Sequence, residues 1–119
     1  MASLICKLMG VVFVAIAIWG FIVGDQVLMF TVNTAHNAVH LISGLAALAC
    51  GFAGEKAARG FSLVFGAVYG LVAVLGFLGV QFAVTQLNLN AADNYLHAGI
   101  AAVFLIAGLV PASKMPQPA

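Results

Sequence analysis

Residues 33–51 read NTAHNAVHLISGLAALACG, a stretch that opens with polar residues and continues as an apolar run. No Asp, Glu, Lys or Arg interrupts it, and it belongs to a set of four uncharged runs at residues 8–24, 26–54, 60–92 and 94–113. A helix needs about 20 mainly apolar residues to cross the hydrocarbon core of a bilayer. The runs therefore predict transmembrane helices at residues 5–24, 34–53, 61–82 and 92–111.

The composition points to an all-α integral membrane protein. Hydrophobic residues make up 65% of the chain and charged residues 6%, whereas soluble domains carry about 25% charged residues. Spanning backbone must satisfy its own hydrogen bonds, and no alternating strand pattern of the barrel kind recurs. We expect a single membrane domain over residues 1–119. The rival interpretation, a cleaved signal peptide over residues 1 to about 20, lacks a small-residue cleavage site after the apolar run.

The distribution of basic residues predicts the orientation of the helices. Lysine and arginine hold their loops on the cytoplasmic side, and here they lie at the amino end, between the second and third helices, and in the tail: Lys7, Lys56, Arg59 and Lys114. Both termini are therefore expected in the cytoplasm. Residues 25–33 and 83–91 then face outward, and their β-favouring residues suggest short extended segments over the outer mouth.

The polar start of the quoted stretch returns 57 residues later, in NAADNYLHAGIAAVFLIAG at residues 90–108. Residues 10–21 also match residues 66–77, at an offset shorter by one. We interpret the chain as a tandem repeat of two helical hairpins, at about 5–53 and 61–111, related by a pseudo-twofold axis along the membrane normal. Such an axis brings equivalent side chains together, and the polar equivalents are Asn33 with Asn90, Asn37 with Asn94, and His40 with His97.

Two asparagines precede the second and fourth helices. Asn33 and Asn90 are predicted N-caps, since their side-chain oxygens can accept from free amides in the first helical turn. Asp93 at the third position after Asn90 completes an approximate capping box. Capping leaves the histidines unexplained.

The histidines form a candidate ligand set for a metal ion. His36 with His40, and Asp93 with His97, are spaced four residues apart, so each pair shares one helical face. If the two faces meet at the axis, three imidazoles and a carboxylate converge, with Asn37 and Asn94 beside them as partners for the ligands. This ligand set suits Zn, Fe, Mn, Ni or Cu and does not select among them.

Other interpretations of the same residues stay open at the level of sequence. His40 and His97 alone would suit the axial positions of a b-type haem, although short packed helices leave little room for a porphyrin. A buried hydrogen-bond network would need no ligand at all, with His40 and His97 bonded to Asn37, Asn94, Ser43, Asp93 or an outer-loop carbonyl. A transmembrane proton relay is disfavoured because the inner half of the bundle offers few polar groups.

No reaction motif is present, so an enzymatic activity is not expected, and the net charge of +1 provides no basic patch for nucleic acid. We expect a structural or accessory membrane subunit in contact with the lipid bilayer, as a homo-oligomer or within a larger membrane complex. The alternative is a metal-binding or haem-binding membrane module that uses the polar cluster.

HNAVHLISG at residues 36–44 and DNYLH at residues 93–97 resemble the small four-helix bacterial membrane proteins of domain-of-unknown-function family 4383. The resemblance covers residues 5–111 and implies the same repeated hairpin in a bacterial inner membrane. It brings no known activity, substrate or cofactor. The polar motif of the family falls here on His36, Asn37, His40, Asp93, Asn94 and His97.

Overall fold

A computed structural model describes residues 1–110 of the chain. In that range the elements are α1 (Ala2–Val23), β1 (Gln26–Val27), β2 (Phe30–Thr31), α2 (Thr34–Ala53), α3 (Glu55–Phe77), α4 (Gln81–Leu87) and α5 (Ala91–Leu109). The helices α1, α2, α3 and α5 are long and apolar enough to cross a membrane. The predicted helical membrane fold is confirmed at this level. Residue 111 and Lys114 lie outside the described residues.

The second and third spanning helices are joined by a single glycine. Gly54 has a φ of 127°, which L side chains rarely adopt, and α3 begins at the next residue. Our predicted start at residue 61 was therefore too late, because Glu55 to Gly60 are helical. The helix also ends earlier than predicted, at Phe77.

The two outward segments differ in structure. Residues 25–33 contain a small antiparallel hairpin, in which Gln26 pairs with Thr31 and Val27 with Phe30. The prediction of an extended segment over residues 84–90 was wrong, since α4 covers most of it. The helix ends at Leu87, and the next residue, Asn88, has left-handed backbone angles. Strand propensity depends on pairing and packing, and here the segment buries Ala83 on a helical face instead.

The helices pack as two close pairs, α1 along α2 and α3 along α5. Glycine permits the close approach in the first pair, because a Cβ on Gly44 would lie 2.9 Å from the backbone nitrogen of Val14. In the second pair a Cβ on Gly66 would lie 3.1 Å from the nitrogen of Leu105. Small residues at such crossings allow the van der Waals contact that holds helices together in lipid.

Polar contacts tie the start of α1 to α3 at one end of the bundle. The Glu55 carboxylate accepts from the Ala2 and Ser3 amides at 2.7 and 2.9 Å, and it pairs with the Met1 ammonium at 3.0 Å. At the same end the Arg59 guanidinium donates to the carbonyl of Gly108, near the end of α5. The hairpin and α4 occupy the opposite end, where α2 and α5 begin.

Aromatic side chains fill the centre of the bundle. Phe13 of α1 stacks on Tyr69 of α3 with ring centroids 5.4 Å apart, and on Phe104 of α5 at 6.2 Å. All three side chains are buried. The histidines lie directly beyond this layer, toward the loop end, since the His40 ring is 5.5 Å from Phe13.

Candidate metal centre

Matching caps start the two helices that carry the histidines. Asn33 Oδ1 accepts from the His36 amide at 2.8 Å, and Asn90 Oδ1 accepts from the Asp93 amide at 2.8 Å. Asp93 Oδ2 in turn accepts from the Asn90 amide at 2.9 Å, which completes a capping box. These bonds fix the first turns of α2 and α5, and with them the direction of the side chains one turn later.

Three imidazoles meet between α2 and α5. The ring centroids of His36 and His40 are 4.5 Å apart, those of His36 and His97 are 5.3 Å apart, and those of His40 and His97 are 6.0 Å apart. One ring nitrogen from each residue lies within 4.8 Å of the other two. Each side chain is at most 2% exposed. We refer to His36, His40 and His97 as the histidine cluster.

The His36 ring is oriented by a backbone carbonyl. Its Nδ1 lies 2.9 Å from the carbonyl oxygen of Leu87, at the end of α4. A carbonyl only accepts hydrogen bonds, so Nδ1 carries the proton and Nε2 presents a lone pair. That Nε2 is buried, and no described residue forms a hydrogen bond with it. Metal-bound histidines commonly use this arrangement, with one nitrogen held by a carbonyl and the other on the ion.

The other two rings also present free nitrogens. Both ring nitrogens of His40 are buried without a partner, as is Nδ1 of His97. The predicted hydrogen-bond network is therefore wrong for His40, since none of the described residues binds either of its nitrogens. A haem between His40 and His97 is also opposed, because the His36 ring lies against both of theirs.

Asp93 stands apart from the clustered ligand atoms. Besides the Asn90 amide, its Oδ2 lies 3.1 Å from the hydroxyl oxygen of Thr31, whose single proton is shared with the nearer Asn88 carbonyl. Its Oδ1 is buried without a partner among residues 1–110. The group that lies within 4.8 Å consists of the three histidines. Of the four predicted ligands, the structure thus brings together three, and it places Asp93 in the cap of α5.

Asn37 and Asn94 are buried, but they face glycines of the neighbouring helices. A Cβ on Gly20 would collide with the Asn37 amide, and one on Gly76 would collide with that of Asn94. Within residues 1–110 neither amide hydrogen bonds to an imidazole. The two asparagines fill space in the helix pairs, and the role of orienting a ligand falls to the Leu87 carbonyl.

Ser43 and Tyr69 also border the cluster, and neither was a predicted metal ligand. The Tyr69 hydroxyl donates to Ser43 Oγ at 3.0 Å, and the Tyr69 ring lies 5.6 Å from that of His97. In the predicted alignment of residues 10–21 with residues 66–77, Tyr69 falls opposite Phe13, so a polar group at a predicted aromatic pair was the available signal. The network interpretation allowed for an outer-loop carbonyl, but nothing in the sequence identifies the carbonyl of Leu87, because any residue supplies one.

A cavity of about 70 Å³ adjoins the histidine cluster. Ser43, Tyr69 and the three imidazoles line it together with valines and Phe65 from α2 and α3. The surface that borders the free space is almost wholly apolar. The cluster is therefore in contact with free space, although it is closed off from bulk solvent.

The chain was compared with protein families, curated proteins and solved structures. A family model described as a domain of unknown function (DUF4383) matches residues 3–110. The chain belongs to the DUF4383 family. No curated protein and no solved structure matches it. The resemblance drawn from the histidine motifs is confirmed, and DUF4383 membership by itself carries no activity or ligand.

Proposed function

We propose that this protein is a metal-binding membrane protein in which His36, His40 and His97 hold one transition-metal ion inside the helix bundle. The observation that carries the proposal is the convergence of three buried imidazoles with ring nitrogens within 4.8 Å of one another. Nitrogens on one tetrahedral ion lie closer, at about 3.4 Å for bonds of about 2.0–2.1 Å. Small side-chain rotations would close the difference.

The energetics of the unpaired nitrogens favour a bound ion over a dry cluster. A buried polar group without a partner costs about 1–3 kcal/mol, and the cluster contains four such nitrogens. A metal ion would satisfy one lone pair on each ring. A hydrogen-bonded structural core would instead need partners that His40 does not find among the described residues.

The ligand set restricts the ion to a class. Neutral imidazoles suit Zn, Cu, Fe and Ni, and three of them leave a tetrahedral ion with an open position. The Asp93 carboxylate, one turn before His97 on α5, would offset part of the charge of the ion. The negative charge of the Asp93 carboxylate would also favour binding of a cation over binding of a neutral ligand in this part of the bundle.

Elemental analysis of protein purified in detergent without chelators tests the proposal. We expect about one transition-metal ion per chain, because three inward-facing imidazoles form one tridentate site. Chelation and re-addition should release and restore that single equivalent. Protein that carries no transition metal, and takes up neither zinc nor copper on titration, would contradict the proposal.

We also propose that the two hairpins, residues 5–53 and 61–111, are repeats about a pseudo-twofold axis. Reciprocal contacts between the halves support it. Asn33 Nδ2 donates to the Gln86 carbonyl at 2.8 Å, and its repeat equivalent Asn90 donates to the Met29 carbonyl at 3.0 Å. Met29 and Gln86 are separated by the same offset as the two asparagines.

Contacts between positions that the proposed repeat makes equivalent also support the axis. Phe13 stacks on its equivalent Tyr69, and the His40 ring lies 6.0 Å from that of its equivalent His97. Toward the other end, Cys6 Sγ lies 3.4 Å from Ser62 Oγ, which is again an equivalent pair. On this proposal the metal centre lies on the axis, with His36 as the ligand that breaks the symmetry.

The proposed orientation places both termini in the cytoplasm of a bacterium and the histidine cluster near the outer face of its inner membrane. The basic residues support it, since Lys7 and Arg59 belong to the end of the bundle opposite the hairpin and α4.

Labelling on intact cells tests this orientation. In a Cys50→Ala background, a membrane-impermeant maleimide is expected to label Gln86→Cys and to leave Ala57→Cys unlabelled, because these exposed positions lie at opposite ends of the bundle. Labelling should become equal once the membrane is permeabilised. Selective labelling of Ala57→Cys on intact cells would invert the topology.

A further inference from the structure

The cavity beside the histidine cluster opens toward the side of the bundle. Its apolar wall comes from α2 and α3, through Val39, Phe65, Val68 and Val72. Val39 and Val68 are 41% and 47% exposed, so the rim of the cavity reaches the outer surface of the helices. Both valines belong to helices long and apolar enough to span a bilayer, and in a bilayer this surface would face hydrocarbon. We refer to this space as the lateral cavity.

The direct way from water to the cluster is covered by backbone and loop contacts. The end of α4 lies over His36, whose Nδ1 donates to the Leu87 carbonyl at 2.9 Å. Beside it, Asn88 Nδ2 donates to the Val32 carbonyl at 2.9 Å, which joins α4 to the segment before α2. These bonds connect the loops of the two hairpins across the end of the bundle. The apolar side is the open one.

The histidine cluster borders the cavity, so an ion held by the three imidazoles would have free space beside it. The His40 ring lines the cavity, and its two nitrogens are buried behind that surface without a partner among residues 1–110. An ion held by three imidazoles keeps a fourth position, as catalytic sites with three protein ligands do. A space of 70 Å³ is several times the 10–15 Å³ or so that one water requires. It is too small for a drug-sized molecule.

We propose that the lateral cavity admits a small uncharged molecule of two or three atoms from the hydrocarbon layer to the open position on the metal. Dioxygen is a ligand of this class, because it dissolves in hydrocarbon and coordinates transition metals. An ion would pay a large cost to enter by this route, since charged groups are expensive within a bilayer. The inference rests on the metal centre proposed above, and it adds the class of ligand and the path of entry.

Carbon monoxide on the copper(I)-loaded protein is the probe for this proposal. We expect one infrared C–O stretching band from a metal-bound molecule, and rapid rebinding after photolysis. Val68→Trp places a large ring at the rim and is expected to slow rebinding at least tenfold at unchanged copper content. Val64→Trp is the matched control, because Val64 is exposed on the same helix and does not line the cavity.

A second variant keeps the test informative if the indole ring of Val68→Trp points away from the cavity. Val72→Phe adds volume from a half-buried lining position and should also slow rebinding, with the copper content again unchanged. Copper bound without a C–O band, or equal rebinding rates in all variants, would overturn the lateral entry and leave the metal centre standing. A wild-type protein that binds no copper would overturn both proposals, and the metal analysis alone identifies that outcome.

Discussion

Replacing His40 by leucine is expected to lower the metal affinity by more than about 100-fold, since removing only a hydrogen-bond partner of a ligand already costs about 10- to 100-fold. His40 is the ligand for which the structure offers no alternative role. Its two ring nitrogens have no partner among the described residues, and its ring packs on Phe13. Leucine keeps the side chain apolar and of similar bulk. Metal titration followed by isothermal calorimetry or competition with a chelator measures the loss.

The same variant should shift the stability of the metal-free protein in the opposite direction. His40→Leu removes two unpaired buried nitrogens, so the metal-free variant is expected to be more stable than the metal-free wild type by about 1–3 kcal/mol. Excess metal should shift this difference toward the wild type by about 2.7 kcal/mol, because an ion at 1,000 times its dissociation constant stabilises the wild type by about 4.1 kcal/mol and a variant that binds 100-fold more weakly by about 1.4 kcal/mol. Denaturant unfolding in detergent, with and without metal, measures both differences.

Tyr69→Phe is the matched control for this experiment. It alters the wall of the same cavity by removing the hydroxyl that donates to Ser43, and it leaves the three imidazoles in place. Its metal affinity should stay close to that of the wild type. A His40→Leu protein that binds metal as tightly as the wild type would show that the imidazoles converge for another reason.

The spanning helices were predictable because the membrane imposes a strong rule on composition. A stretch of about 20 uncharged apolar residues has few alternatives to a spanning helix, and α2 was placed within its observed limits. The turn at Gly54 was harder to foresee. The charged segment from Glu55 to Arg59 has the composition of a loop, yet it forms the first turns of α3. The Glu55 side chain also accepts a hydrogen bond from the start of α1.

The candidate site was predictable as far as helical spacing reaches. His36 and His40 share a face because they are four residues apart, and the repeated motif indicated that His97 would meet them. Spacing says nothing about which contacts a side chain makes with other segments. Asp93 shares a face with His97, but its carboxylate is drawn to the Asn90 amide and to Thr31. The Leu87 carbonyl lies at the end of α4, where it accepts a hydrogen bond from His36. The strand-favouring residues of this segment had predicted an extended conformation instead of a helix.

Asp93 provides the second test, because its role as a ligand and its role as a cap predict different outcomes. Asp93→Ala removes the capping box of α5 and the bond from the Thr31 hydroxyl. A lost cap costs about 1 kcal/mol and a lost hydrogen bond to a charged group about 1.5–3 kcal/mol. We therefore expect the variant to unfold about 3 kcal/mol more easily in denaturant titrations in detergent. Its metal affinity should fall by less than about tenfold, or ~1.4 kcal/mol.

Thr31→Val separates the two contributions to this loss. It removes the hydroxyl that reaches Asp93 Oδ2 and the Asn88 carbonyl, while the bonds between Asn90 and Asp93 remain. The expected destabilisation is about 1.5–3 kcal/mol, the contribution of a hydrogen bond to a charged group. If Asp93→Ala instead abolished metal binding while unfolding like the wild type, Asp93 would be the fourth ligand. The ion would then lie nearer to the start of α5, and its open position, which the lateral entry requires, would be filled by the carboxylate.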